Sequence, residues 1–148
     1  MRRSLLTLLA SVVLALPAIS ADAPRAATPL GADLLLFEQA VKWDVVSQEW
    51  VARRPGWLEK VGRSTDPREL AAMVAQLEGH MGWSSVKESW RERRDGWLAG
   101  AKRADTLAAG ARLLLELEAV TRWEAVQPAW KDVRPAWEGR LTSIAKGR

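Results

Sequence analysis

Apolar residues recur along this chain at intervals of four, three and four, the spacing that lines one face of an α-helix. Leu30, Leu34, Phe37 and Val41 follow that rhythm, and so do Leu70, Val74, Leu77 and Met81. Leu114 and Leu117 continue it in a third place, where Gly110 and Thr121 weaken it. Each run opens on a helix-start signal: Thr28-Pro29, Asp66-Pro67 and Asp105-Thr106 supply side-chain oxygens for a free backbone N–H, twice with proline at the first helical position. The pattern predicts helices over about 29–41, 67–80 and 106–121.

A second pattern follows each of these helices. Tryptophans stand at 43, 50 and 57, at 83, 90 and 97, and at 123, 130 and 137, so that spacing seven repeats at an offset of 40 without an insertion. Aligning 33–68, 73–108 and 113–148 leaves six columns identical in all three copies. They are the three Trp columns, Glu38/Glu78/Glu118, Val46/Val86/Val126 and Arg54/Arg94/Arg134. Five of the six fall on one stripe of a second helix, predicted over about 44–63, 84–103 and 124–145. The stripe runs through Pro55 and Pro135, which predicts a kinked but continuous helix, since Asp95 occupies the same column; the alternative is a break at the proline into two short helices. Ser85 with Glu88, and the column Asp44/Ser84/Glu124, are the expected caps for these second helices.

The expected fold is therefore all-α: three tandem 40-residue helical-hairpin repeats over about 29–66, 67–105 and 106–148. They would form either a short α-solenoid or a six-helix bundle. A period of 40 is typical of helical arrays, although the residues that mark tetratricopeptide repeats are absent.

The N-terminus departs from this pattern. "MRR" precedes fifteen uncharged, largely apolar residues, Leu5 to Ile19, and then the small residues "AIS" and "ISA". This reads as an export signal over 1–21, followed by an Ala- and Pro-rich linker over 22–28. A run of fifteen is short of the ~20 residues that span a bilayer. The expected location is periplasmic or secreted, with no stable membrane span after cleavage. Cleavage removes Arg2 and Arg3 and no acid, so the formal charge falls from +4 to +4 − 2 = +2. So small a charge gives little support to nucleic-acid binding, which needs a basic stripe facing phosphates.

Candidate chemistry is sparse. Cysteine is absent and His80 is the one histidine, so no repeated metal-ligand set exists and no cofactor is expected. No phosphate loop, nucleophile elbow or His-Glu-x-x-His helix occurs. The reading is a non-enzymatic binding or scaffold module for a protein or glycan partner in the envelope or outside the cell, with self-association open. The alternatives are an enzyme with an unmarked carboxylate site and a membrane-surface-active helical protein. The second is disfavoured by Asp44, Glu49, Glu59, Glu88, Glu92 and Asp95 on the polar face.

Nine tryptophans amount to about 1,800 Å² of surface at roughly 200 Å² each. A soluble monomer exposes apolar patches of about 300–600 Å² at most, so most of the rings must be packing. The arginine column sits four residues after one Trp and three before the next, spacings at which helix side chains touch. A guanidinium there is expected between two indoles, with the Glu column of the first helix as its countercharge. Trp57, Trp97 and Trp137 with Arg54, Arg94 and Arg134 are the candidate ligand or partner surface, against a packing role for the same residues.

Overall fold

The computed structural model describes residues 24–43 and 48–147. The expected export signal lies outside them, as do Asp44 and Val46. Six α-helices account for most of the described chain: α1 Pro29–Ala40, α2 Gln48–Arg63, α3 Pro67–His80, α4 Trp90–Arg103, α5 Leu107–Val120 and α6 Trp130–Ala145. No strand occurs among the described residues, only two isolated bridges. The described part of the protein is all-helical.

The first helix of each pair starts where the sequence indicates. Thr28 Oγ1 accepts from the Gly31 N–H at 3.0 Å, Asp66 Oδ1 from Arg68 at 3.0 Å and Thr106 Oγ1 from Ala109 at 3.1 Å. Each side chain satisfies one of the N–H groups that a helix start leaves without an internal partner. The linker is less free than its composition suggests, because the Ala27 N–H donates to Gly62 O at 2.8 Å and Thr28 is buried.

The second helices begin later than expected, at Trp90 rather than 84 and at Trp130 rather than 124. Short 3-10 turns, Trp83–Ser85 and Trp123–Ala125, precede extended backbone at Val86 (φ −121°, ψ 154°) and Val126 (φ −119°, ψ 155°). The reason is tertiary. These segments pair with a neighbouring hairpin: Lys87 N–H donates to Val120 O at 2.7 Å and Arg122 N–H to Ser85 O at 2.8 Å. In the same way Gln127 N–H donates to Ala40 O at 2.8 Å and Lys42 N–H to Ala125 O at 2.9 Å. The bridges Val86–Thr121 and Val41–Val126 lie at the same junctions. Ser85 is thus buried in a turn and caps no helix, and the Ser85/Glu88 capping box does not form. Once begun, α2 and α6 run unbroken through Pro55 and Pro135.

Helices α1, α3 and α5 contact one another, and each second helix lies across two of them. Helix α2 packs on α1 and α3, α4 on α3 and α5, and α6 on α5 and α1. The last of these contacts decides the architecture. An open solenoid would separate the first helix from the last, whereas here α6 touches α1 and the six helices close into a bundle. Leu30, Leu34, Phe37, Leu70, Val74, Leu77, Leu114 and Leu117 fill its centre, all fully buried. Gly110, a gap in the sequence pattern, has a packing role at the closure: a Cβ there would meet Leu30 Cδ2 at 2.6 Å.

Candidate binding surface

The invariant glutamates lie inside the protein. Glu38, Glu78 and Glu118 are buried near the C-termini of α1, α3 and α5, and each meets the arginine sixteen residues later. Arg94 Nε and Nη2 donate to the two Glu78 oxygens at 2.7 and 2.9 Å. Arg134 Nε donates to Glu118 at 2.7 Å, and Arg54 grips both oxygens of Glu38, with Nη2 at 3.1 Å. A two-pronged guanidinium suits a carboxylate that must leave water. The expected Glu–Arg bridge is present in all three hairpins.

The second tryptophan of each set completes this core in two of the three. Trp90 Nε1 donates to Glu78 at 2.8 Å and Trp130 Nε1 to Glu118 at 3.0 Å. In the first hairpin the Trp50 N–H lies close enough to Glu38 to lower its pKa, yet it makes no hydrogen bond of ordinary geometry among the described residues. Trp43 instead donates to the Glu38 carbonyl at 2.7 Å. Burial outweighs these partners at Glu38 and holds its carboxyl above the ordinary glutamate range. The Glu78 and Glu118 carboxylates have the converse effect on their arginines, raising the pKa values of Arg94 and Arg134 through their hydrogen bonds.

The third tryptophans join one hairpin to the next. Trp57 Nε1 donates to Met73 O at 3.2 Å, Trp97 to Leu113 O at 3.0 Å and Trp137 to Asp33 O at 2.9 Å. Trp57, Trp97 and Trp137 retain only 5%, 4% and 0% of their exposure. Each stands edge-on to the second tryptophan, with centroids 5.1–5.3 Å apart and planes at 67–70°. Of the candidate surface, the three indoles are therefore inside the protein, and only the half-buried arginines reach solvent.

The exposed rings are the first of their sets. Trp83 is 52% exposed and Trp123 48%. The guanidinium of Arg94 lies 5.7 Å from the Trp83 ring and that of Arg134 6.0 Å from Trp123, so each stacks on the first indole rather than between the second and third. A second cation shares each ring: Arg91 at 5.2 Å from Trp83 and Lys131 at 5.8 Å from Trp123. Arg91 and Lys131 are forty residues apart in sequence, and neither forms an ion pair among the described residues. Small clefts of about 130 and 110 Å³ open beside the rings, one under Trp83, Arg94 and Glu78, the other under Trp123, Arg134 and Glu118. Trp43 differs: it is half-buried, stacks on Trp50 with centroids 5.0 Å apart, and has Val51 in the column of Arg91 and Lys131.

Sequence reasoning did not single out Trp83, Trp123, Arg91 and Lys131 because it placed all nine indoles on one continuous helical stripe. The available signal was Gly82 before Trp83 with Ser84 and Ser85 after it, which marks a break rather than a helix. His80 stacks on Trp50 at 4.7 Å between ring centroids.

Residues 27–91 match a family described as Domain of unknown function (DUF8799). The matched stretch covers α1 to α3 and the start of α4, less than half of the chain. No curated protein and no solved structure matches the chain.

Proposed function

We propose that this chain is an exported, non-enzymatic module built from three copies of a 40-residue helical hairpin, and that it binds a carboxylate-bearing glycan of the cell envelope or exterior. The observation that carries this reading is the pair of equivalent sites at Trp83 and Trp123, each a half-exposed indole beside an unpaired cation. An indole face is electron-rich and apolar, which suits the C–H face of a sugar ring. Arg91 or Lys131 beside it suits a carboxylate on that sugar. Two like sites forty residues apart favour a ligand that itself repeats, because the second contact then forms at high effective concentration. A peptide with varied side chains gains less from such duplication. No described helix is long and apolar enough to cross a membrane.

The test is affinity electrophoresis and tryptophan quenching of the mature protein with polygalacturonate, against neutral dextran. Polygalacturonate is expected to bind and dextran to bind at least tenfold more weakly. Trp83→Ala combined with Trp123→Ala should weaken binding at least tenfold while leaving thermal stability nearly unchanged, since both rings are half in water. Undiminished binding by the double variant, or release of shortened sugar products, overturns the proposal.

A further inference from the structure

A more spacious concavity than those two clefts lies elsewhere, between α4 and α5, with a volume of about 540 Å³. That is within the roughly 300–1,000 Å³ usual for ligand sites. Its origin is visible in a single column of the sequence. Lys60, Gly100 and Arg140 are equivalent at an offset of 40. At the α2–α3 junction, Lys60 reaches across to Glu69, with Nζ 3.9 Å from Oε1. At the α6–α1 junction, Arg140 reaches across to Asp33 at 2.8–3.2 Å. At the α4–α5 junction the position is Gly100, one helical turn after Gly96, and Asp33 is replaced by Leu113.

Neither glycine is required by the backbone. Both are helical, where glycine costs about 0.5–1 kcal/mol relative to alanine. A Cβ at Gly96 would meet nothing within 4 Å, and one at Gly100 only Leu113 Cδ2 at 3.9 Å. The groove thus lacks the long basic side chain that the chain itself supplies at its two other junctions.

Its walls carry the matching charges. Glu92 on α4 and Glu116 on α5 line it, are exposed, and form no ion pair among the described residues. The two bases of the rim are engaged within the fold. Arg112 Nη1 donates to Ala145 O at 2.9 Å, and the Arg93 guanidinium lies 5.9 Å from the Trp90 ring. We infer that this groove receives an arginine or lysine side chain from a partner polypeptide. Its aliphatic stem lies along Gly96, Gly100 and Leu113, and its charged head meets Glu92 and Glu116. The inference is independent of the glycan reading, since it uses none of the residues around Trp83 and Trp123.

The experiment is a titration of the mature protein with the blocked peptide acetyl-Gly-Ala-Arg-Ala-Gly-amide, followed by the NMR shifts of the Gly96 and Gly100 amides. Saturable shifts at millimolar peptide are expected, and none with alanine in place of the arginine. Gly100→Arg, which copies Arg140, should weaken binding at least fivefold. The double variant Glu92→Gln with Glu116→Gln should do the same, and both replacements are at exposed positions that leave folding intact. Absent shifts, equal shifts with the alanine peptide, or unchanged binding in the glutamine variant overturn the inference. Tenfold tighter binding of free spermidine at the same amides also overturns it, in favour of a small polyamine.

Discussion

Two junctions of the bundle solve the same packing problem with opposite chemistry. Where α4 meets α5, the facing positions are Gly100 and Leu113, the helices are joined by a short covalent connection, and a groove stays open. Where α6 meets α1, the facing positions are Arg140 and Asp33, 107 residues apart, and no connection joins the helices. That second junction has to be held by contacts alone. It uses a bidentate ion pair and the Trp137 N–H on the Asp33 carbonyl, beside a close α5–α1 contact of Gly110 with Leu30. The difference teaches that chain connectivity can do what side-chain bonding otherwise must, leaving the connected junction free to vary.

The largest expected effect breaks the closure. Arg140→Ala leaves the Asp33 carboxylate buried without its countercharge, and urea unfolding should show a loss of about 3 kcal/mol. Pairing Asp33→Leu with Arg140→Gly rebuilds the α4–α5 chemistry and should recover most of that loss, because no buried charge remains. A loss below about 1 kcal/mol for the single variant would mean that the two junctions are held alike.

Next comes Gly110→Ala. The added methyl overlaps Leu30, so about 1–3 kcal/mol should be lost through overpacking. Calorimetry of this variant beside Gly110→Ala with Leu30→Val separates the clash from any loss of helix contacts. Only the combined variant has room for the methyl.

A pH series sharpens the contrast further. Burial raises the Asp33 pKa above its ordinary 3.8, against the opposing pull of Arg140. The folded protein then holds that proton at pH values where the unfolded chain has released it. The stability this contributes is fully present below the ordinary value and is lost as pH rises through the folded one. Asp33→Asn should flatten that part of the stability–pH curve, while the part due to Glu38, also raised by burial, stays. An unaltered slope in Asp33→Asn would assign the whole dependence to other groups. Leu113, at the open junction, contributes no such slope.

The smallest effect is a gain. Gly100→Ala adds a methyl with ordinary van der Waals clearance and should stabilise α4 by about 0.5–1 kcal/mol, read as a rise in the urea midpoint. Destabilisation instead would show that the groove needs its bare backbone for folding.

Much of the fold was legible from the residues. Thr28, Asp66 and Thr106 marked helix starts that the structure reproduces, and the Glu and Arg columns met as their spacing implied. These are local or single-hairpin relations, set by helical geometry within about sixteen residues. The starts of α4 and α6 were misplaced because Val86 and Val126 are drawn into pairing with another hairpin, which no local window contains. The sequence left the choice between packing and surface roles for the indoles open for the same reason. Period seven says that three indoles share a stripe, but which of them is covered depends on the helix lying opposite. Trp57, Trp97 and Trp137 are covered by α3, α5 and α1, whereas Trp83 and Trp123 precede their helices and stay half in water.

The sequence by itself determined that the chain is helical, where three of its helices start, and that the glutamate column would pair with the arginine column. Helical periodicity and capping are short-range, so they are written in neighbouring residues. Only the tertiary structure decided that α6 returns to α1, that Asp33 and Arg140 clamp that return, and that Gly96 and Gly100 leave an open groove. The return of α6 and its clamp depend on surfaces that meet across more than a hundred residues, and the groove on how two neighbouring helices pack, so neither leaves a period in the sequence to read.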